Sequence, residues 1–341
     1  MSNVLQLLTL ATAATALNVG RPEFTKRQQC KSWPGFSNLK YSFMFGDSYT
    51  QTGFSPTSTQ PTPDNPFGNP PYPGWTSSNG PNWIGFLTTT WNQSLLQTVN
   101  LAYGGATVDS ALVKPYQDTV LSFKDQVEKE FLPYYADKPA AVPWTSEDSL
   151  FGFFFGINDV GNSWWLQNST LYPMIFDVYS GLVDKLYQTG ARNFLFLNVP
   201  PVELAPQSAT NPPESIAQQG AKIQEFNQRI ADLARNLTST YTDVTAFHFD
   251  THSLFSKVIA DPSSYEQTAP YEDVKTFCAA YQNGTPDWTS SDPSCAYSVD
   301  KYLWLNSLHP TFRIHNATAQ AIAEQLSAGG CGGNLTRLRR F

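Results

Sequence analysis

The chain has 341 residues, of which 41% are hydrophobic and 14% aromatic, a composition that excludes an intrinsically disordered protein and allows a sizeable core. Only 14% of the residues are charged, well below the roughly 25% of an average soluble protein. The net charge of −7 and the pI of about 5.1 argue against nucleic acid and anionic membranes as partners, because no basic stripe is present to neutralise phosphates.

The beginning of the chain has the pattern of an export signal. The apolar run VLQLLTLATAATA is too short to span a bilayer, and the Ala-Thr-Ala at 14–16 fits the small-x-small cleavage pattern. Residues 1–16 are therefore predicted to be a signal peptide. A Lys-Arg pair at 26–27 makes residues 17–27 a candidate propeptide and leaves 28–341 as the mature chain. No later segment is long and apolar enough to be transmembrane, so we expect a soluble, secreted protein with no stable membrane association.

Four cysteines and six Asn-x-Ser/Thr sequons fit a secreted protein. The cysteines allow three pairings; Cys278 with Cys295 is the short-loop choice, which leaves Cys30 and Cys331 to join the two ends. The sequons are hypothetical glycan sites, some of them expected by chance, at Asn92, Asn168, Asn236, Asn283, Asn316 and Asn334.

Short apolar runs bounded by turn residues predict five β-strands. In chain order they are Tyr41–Gly46, Leu95–Ala102, Leu150–Gly156, Asn193–Val199 and Val244–Phe249. The first, third and fourth runs are almost continuously apolar, which is typical of a parallel sheet that is buried on both faces.

Helical patterns lie between or after these strands. They cover Met174–Leu186, Pro213–Leu237 with apolar residues spaced 7-3-4-3-4, and Thr311–Leu326, which ends before Gly329-Gly330. Alternating strands and helices predict one three-layer α/β/α domain with a central, mostly parallel sheet.

Two longer segments lack a regular pattern. Gln51–Pro81 is rich in Pro, Gly, Asn and Ser, as an interdomain linker would be, but its position directly after the first strand favours a loop over the active face. Asp261–Tyr302 contains Cys278 and Cys295 and is predicted to be an insertion held by their disulfide.

Ser48 is the candidate nucleophile. It follows the first predicted strand in FMFGDSYTQTG, where a glycine permits a tight turn that exposes the side chain near helix N-terminal N–H groups. Taken alone, Gly-Asp-Ser would more often be an ordinary turn. Asp47 is interpreted as a structural acceptor for backbone groups of the loop.

Two further strand ends offer hydrogen-bond donors for an oxyanion. Gly104-Gly105, after the second strand, lets the backbone approach a ligand closely, and Asn158, after the third, carries a neutral amide donor. The alternatives are a simple tight turn for the glycines and a helix cap for Asn158.

His309 is the candidate general base. It stands before Pro310, a favoured first residue of a helix, so its ring is anchored at a loop-to-helix junction, and it would need Ser48 Oγ within about 3 Å. His248, His252 and His315 are interpreted as surface or core residues.

Together these four blocks resemble the SGNH, or GDSL-type, hydrolase family, in the same order along the chain from Phe43 to Thr311. The resemblance implies the flavodoxin-like SGNH fold for residues 28–341. It also implies Ser48 as the nucleophile, His309 as the base, and an oxyanion hole of Ser48, Gly105 and Asn158. The overall pattern is most similar to secreted fungal acetyl esterases of carbohydrate esterase family 16.

One position departs from that family. The family usually has aspartate three residues before the histidine, where this chain has Asn306. In Ser-His-Asp proteases the same change costs roughly ten-thousandfold through the wrong histidine tautomer. Three outcomes stay open: Asp300 fills the role, a backbone carbonyl orients His309, or activity is low. A working dyad or an Asn306-assisted triad is favoured.

The resemblance implies a carboxylic ester hydrolase, and acetylated xylo-oligosaccharides are the expected substrate. Trp75, Trp83, Trp164 and Trp165 lie near strand-end loops and are candidates for stacking on sugars, although at least half are expected to pack in the core. The alternatives are a GDSL lipase or phospholipase acting on longer acyl esters, and a weakly active carbohydrate-binding relative. We expect a monomer with no metal site and no cofactor.

Overall fold

The computed structural model describes residues 33–329. The predicted signal peptide and propeptide, Cys30, Cys331 and the sequon at Asn334 lie outside these residues.

The five predicted strands form one parallel sheet. Strands β1 to β5 are Tyr41–Gly46, Gln97–Asn100, Ser149–Phe154, Asn193–Leu197 and Thr245–Phe249, in the spatial order β2-β1-β3-β4-β5. This is the flavodoxin-like order of doubly wound folds. Strands β1, β3 and β4 are buried along their whole length, which accounts for their apolar sequences.

Helices cover both faces of the sheet and confirm the predicted three-layer α/β/α class. In chain order α1 to α8 are Trp83–Thr89, Phe123–Asp125, Leu132–Tyr135, Ile157–Gly161, Leu171–Gln188, Pro213–Thr240, Thr251–Ala260 and Phe312–Ala328, with a π-helical turn at Gln126–Phe131 between α2 and α3. The three helices predicted from the sequence are α5, α6 and α8.

Alternate side chains of the strands face opposite helical layers. Phe153 of β3 lies 6.3 Å from Tyr179 of α5 between ring centroids. Met44 of β1 faces the other way and packs against Gly152 on the side of Trp83 in α1. The sheet is therefore covered by α5 on one face and by α1 on the other.

Chain order determines where the loops meet. From β1 the chain crosses to β2 on one side, and later enters β3 on the other, so a crevice forms beyond the carboxyl ends of β1 and β3. Ligands of open α/β sheets bind at such a switch point. Ser48 follows β1 and Asn158 follows β3 at this edge.

Parts of both long segments reach this region, since residues from 73–80 and from 282–288 line one cleft together with His309. Gln51–Pro81 contains no helix and no strand of the sheet, and Asp261–Tyr302 contains only short 3-10 turns. Cys278 and Cys295 form a disulfide within the second segment, which confirms the short-loop pairing. Beneath it, a small separate apolar cluster contains Tyr281 and Leu305.

Candidate active site

The turn that carries Ser48 is held by its neighbour Asp47. Asp47 Oδ1 accepts the Tyr49 N–H at 3.0 Å, and the Asp47 carbonyl accepts the N–H groups of Thr50 and Gln51. These bonds fix the backbone around Ser48, whose own N–H has no acceptor among residues 33–329. Asp47 thus acts as the structural acceptor that the sequence suggests.

Ser48 and His309, 261 positions apart, meet at the edge of the sheet. Ser48 Oγ lies 2.8 Å from His309 Nε2, the separation required for proton transfer from hydroxyl to imidazole. The loop before α8 carries His309, and Tyr49 connects this loop to the turn at Ser48 by donating its hydroxyl to the Leu308 carbonyl at 2.7 Å.

Asn306 faces the other nitrogen of the same ring. Its Oδ1 accepts the His309 N–H at 2.8 Å and lies 3.1 Å from His309 Nδ1, while its Nδ2 donates to the Gln282 carbonyl at 3.3 Å. These partners fix which end of the amide is oxygen, because the oxygen must accept and the nitrogen must donate. An acceptor at Nδ1 requires a proton there, so Nε2 is left unprotonated and able to accept from Ser48.

Asp300, the alternative partner, is engaged elsewhere. Its carboxylate accepts from Ser298 Oγ at 2.6 Å and from the Arg313 guanidinium at 2.5 Å. Burial is the largest single influence and raises the pKa of Asp300, but the contacts with Ser298 and Arg313 together outweigh it, so the pKa is lowered. Of the three possibilities left by the sequence, the geometry favours Asn306 as the group that orients His309.

Burial lowers the pKa of His309 to about 4, and within residues 33–329 no carboxylate is close enough to raise it again. A carboxylate in place of Asn306 would stabilise the imidazolium, whereas a neutral amide does not. The His309 ring is therefore a free base at neutral and mildly acidic pH, the state in which it can accept a proton.

The backbone N–H groups of Ser48 and Gly105 both lack an acceptor within residues 33–329. Gly105 has φ +84°, and a Cβ there would lie 2.4 Å from Tyr116 Cε1, so only glycine fits. Next to it, a Cβ on Gly104 would come 4.0 Å from that of Ser48. The glycine turn therefore passes beside Ser48, as an oxyanion hole next to a serine nucleophile would require.

Asn158, the third predicted donor, is partly occupied. Its Nδ2 donates to the Ala106 carbonyl at 3.0 Å and lies 3.4 Å from Asp47 Oδ2, the long limit for a hydrogen bond. The first bond anchors the amide to the glycine loop. The second N–H can turn to an oxyanion by giving up only a weak contact.

Two residues near the site have no clear signal in the sequence. Asp159 is fully buried, and its Oδ1 accepts the Val108 N–H at 3.0 Å, which ties the loops after β2 and β3 together. Burial raises the pKa of Asp159 to about 7 and that of Asp47 to about 8.

Tyr116 is the second of these residues; it is 72% exposed and lies against Gly105. Asp159 and Tyr116 reach the site only through the folding of the loops, so no local sequence pattern marks them.

The other histidines lie apart from Ser48 Oγ. His315 is buried in α8, where burial lowers its pKa to about 3, and its ring lies 5.9 Å from that of Tyr49. His252 Nε2 is 3.8 Å from Glu203, and His248 is partly buried in β5. Among residues 33–329 no three His, Cys, Asp or Glu side chains cluster as metal ligands would.

Comparison with known proteins identifies the family. The model of the "GDSL-like Lipase/Acylhydrolase" family matches residues 43–322. An acetylesterase of Thermothelomyces thermophilus is 40% identical over 292 residues, 84% of this chain and 88% of that protein. An acetylesterase of Hypocrea jecorina is 24% identical over 323 residues and the same shares of the two chains.

A solved acetylxylan esterase from Geobacillus stearothermophilus is a more distant likeness, with 12% identity and a TM-score of 0.47 over 89% of this chain and all of that one. The family match, by contrast, includes all four sequence blocks that meet at the carboxyl edge of the sheet. The chain belongs to the GDSL-like lipase/acylhydrolase family and is a carboxylic ester hydrolase.

Proposed function

We propose that the protein is a secreted acetylesterase that removes acetyl groups from carbohydrates such as acetylated xylo-oligosaccharides. The reaction passes through an acyl-enzyme on Ser48, with His309 as the base. The single observation that most supports this proposal is the 2.8 Å separation between Ser48 Oγ and His309 Nε2.

In the first half of the reaction, Ser48 Oγ attacks the ester carbonyl while its proton moves to His309 Nε2. The developing oxyanion accepts hydrogen bonds from the N–H groups of Ser48 and Gly105 and from Asn158, each worth about a hundred- to a thousandfold in rate. His309 then gives its proton to the leaving alcohol. Water, activated by the same ring, releases acetate and restores Ser48.

Two features favour a short acyl group over a long one. The relative with 40% identity bears the name acetylesterase. A lipase would need a wide apolar lid, whereas the Gln51–Pro81 loop is dominated by Pro, Gly, Asn, Ser and Thr. The Asn306 contact with His309 Nδ1 argues against the alternative of a weakly active carbohydrate-binding relative, because this contact holds the ring in the tautomer that can accept a proton from Ser48.

The four tryptophans proposed for sugar stacking differ in exposure. Trp75 and Trp165 are 71% and 51% exposed and remain candidates. Trp83 is fully buried with its Nε1 bonded to Thr50 Oγ1 at 3.0 Å, and Trp164 is half-buried against the core.

Secretion and the monomeric state are further parts of the proposal. The Cys278–Cys295 disulfide is of the kind that persists in oxidising compartments. Among residues 33–329 no helix combines the length and apolar character needed to cross a membrane.

Three substrates test the proposed function: 4-nitrophenyl acetate, 4-nitrophenyl palmitate and acetylated xylo-oligosaccharides, the last assayed by acetate release. We expect rapid turnover of the acetate ester and the oligosaccharides, and little of the palmitate. Rapid palmitate turnover would favour the lipase alternative, and no turnover of any of the three would favour the binding relative.

A further inference from the structure

A cleft of about 390 Å³ opens between the Gln51–Pro81 loop and the Asp261–Tyr302 insertion. Its volume falls within the range of about 300–1,000 Å³ usual for small-molecule sites. His309 and Asn306 belong to its lining, but Ser48 does not. The cleft therefore borders the general base and lies beside the position of the acyl carbon.

The two walls of the cleft are hydrogen-bonded to each other. Asn79 Nδ2 donates to Thr285 Oγ1 at 2.8 Å, and Asn79 Oδ1 accepts the Thr285 N–H at 2.7 Å. The Trp288 ring is braced against Phe312 of α8, 5.5 Å away between centroids. The cleft is thus formed before a ligand arrives, which reduces the entropy lost on binding.

The groups that face the cleft suit an uncharged, hydroxylated ligand. Apart from His309, none of its lining residues has an ionisable side chain. The hydroxyl of Ser77 and the amide of Gln282 have no hydrogen-bond partner within residues 33–329, and Trp288 is 41% exposed. A flat ring beside free neutral donors and acceptors can stack on a pyranose and bind its hydroxyls.

The proton transfer in the proposed reaction places the leaving alcohol on the His309 side of the acyl carbon, where the cleft lies. When the tetrahedral intermediate collapses, the ester C–O bond breaks, the acetyl group stays on Ser48 Oγ, and the proton on His309 Nε2 passes to the leaving oxygen. That oxygen must therefore lie within hydrogen-bond reach of His309. The alcohol attached to it extends past His309, where the cleft is.

We propose that this cleft is the subsite for the sugar that leaves as the alcohol. Trp288 stacks on the saccharide, and Ser77 and Gln282 bind its hydroxyl groups. The proposal rests on the proposed function, since it assigns the carbohydrate part of that substrate to a place in the fold.

The test compares Trp288→Ala with Tyr297→Ala. Both side chains are 41% exposed in the same insertion, but Tyr297 does not line the cleft. The enzyme is first treated with an endoglycosidase, because Asn283 is a sequon residue in the cleft lining. The readout is kcat/KM for acetylated xylo-oligosaccharides divided by kcat/KM for 4-nitrophenyl acetate, which carries no sugar.

We expect Trp288→Ala to lower this ratio about tenfold or more, mainly through KM for the oligosaccharide, and Tyr297→Ala to preserve it. An unchanged ratio in Trp288→Ala, or an equal fall in Tyr297→Ala, overturns the subsite. If Trp288→Ala does not fold, the double variant Ser77→Ala/Gln282→Ala decides by the same ratio.

A binding measurement separates this proposal from the proposed function. Unacetylated xylotriose is added as an inhibitor of 4-nitrophenyl acetate hydrolysis by the unaltered enzyme and by Trp288→Ala. Inhibition that Trp288→Ala weakens supports the subsite even if acetylated xylo-oligosaccharides are not turned over. Absence of inhibition overturns the subsite even if they are.

Discussion

At the scale of single residues, Asn306 is the group that we propose orients His309, the proposed base. Its oxygen holds His309 Nδ1 and two backbone N–H groups, those of Leu308 and His309. This anchoring explains how a neutral residue can replace the usual aspartate without reversing the tautomer. It does not supply the charge that would stabilise an imidazolium, so the pKa of His309 stays low.

Asn306→Asp is therefore expected to raise the pKa of His309 and move the acid limb of the kcat/KM profile to higher pH by about one unit or more. Catalysis needs the neutral ring, so activity is lost at a higher pH as the solution is acidified. At neutral pH the activity should be preserved or increased. The measurement is acetate release followed across pH 3.5–8.

The control is Asn306→Ala, which removes the acceptor at Nδ1 and should lower kcat at every pH. A large loss of activity in Asn306→Asp at neutral pH would mean that Asn306 has a different role.

Ser48 and His309 could be proposed from the sequence because each lies in a local motif at a strand end or shortly before a helix start, whereas Asn306 was identified through the family resemblance, as the residue three positions before the histidine. The contact of Tyr116 with Gly105 could not be predicted in this way. This contact depends on the path of an irregular loop, whose sequence has no periodic pattern from which its conformation could be predicted. The hydrogen bond from Asn158 to the Ala106 carbonyl could not be predicted for the same reason.

At the scale of secondary-structure elements, length decided what could be predicted. The 28-residue α6 and 18-residue α5 show clear helical periods, whereas α1 and α4 have only seven and five residues. The π-helical turn Gln126–Phe131 breaks the 3.6-residue period of its segment. Strand β2 is shorter than its apolar run, Leu95–Ala102, because only Gln97–Asn100 pairs as a strand with β1.

The Cys278–Cys295 disulfide is the main covalent constraint on the insertion. The two cysteines are 17 positions apart, and the loop that they close contains Gln282, whose carbonyl accepts a hydrogen bond from Asn306 Nδ2. The double variant Cys278→Ser/Cys295→Ser should lower the free energy of unfolding of the insertion by about 3 kcal/mol. Hydrogen exchange of residues 273–305 measures the change.

Reduction of the unaltered protein with dithiothreitol should reproduce the increase in exchange, whereas reduction of the double variant should add nothing. Equal exchange in the variant and the unaltered protein would show that the Tyr281 cluster, rather than the disulfide, holds the insertion.

At the scale of the whole molecule, the apolar runs predicted a parallel sheet but not the order of its strands. Every possible order of parallel strands produces the same local sequence pattern. The order β2-β1-β3-β4-β5 brings four distant blocks to one edge. Beneath this edge the core contains ionisable side chains, among them the fully buried Asp47 and Asp159.

These groups predict how stability depends on pH. Burial raises the pKa of Asp47 from 3.8 to about 8 and of Asp159 from 3.8 to about 7, so their contribution to stability is fully present below about pH 4 and declines as pH rises until it is lost at about pH 7–8. Burial lowers the pKa of His309 to about 4 and of His315 to about 3, so their contribution is lost as pH falls below about 6.5.

Between pH 6.5 and 8 the carboxyl groups of Asp47 and Asp159 titrate, together with Glu130, whose pKa burial raises to about 7, and the free energy of unfolding should fall by about 2 kcal/mol or more. Differential scanning calorimetry at pH 5.5, 6.5 and 8 measures this as a falling Tm. Asp159→Asn keeps an acceptor for the Val108 N–H and should show a smaller fall. An equal fall in the variant would remove Asp159 from the explanation.

The central claim is that Ser48, activated by His309, forms the acyl-enzyme. It is tested most directly by mass spectrometry of protein treated with a serine-reactive fluorophosphonate, combined with acetate release by Ser48→Ala. We predict one adduct, on the peptide that contains Ser48, and a fall in kcat of about ten-thousandfold or more in the variant. An adduct on another residue, or substantial acetate release by Ser48→Ala, would contradict the account.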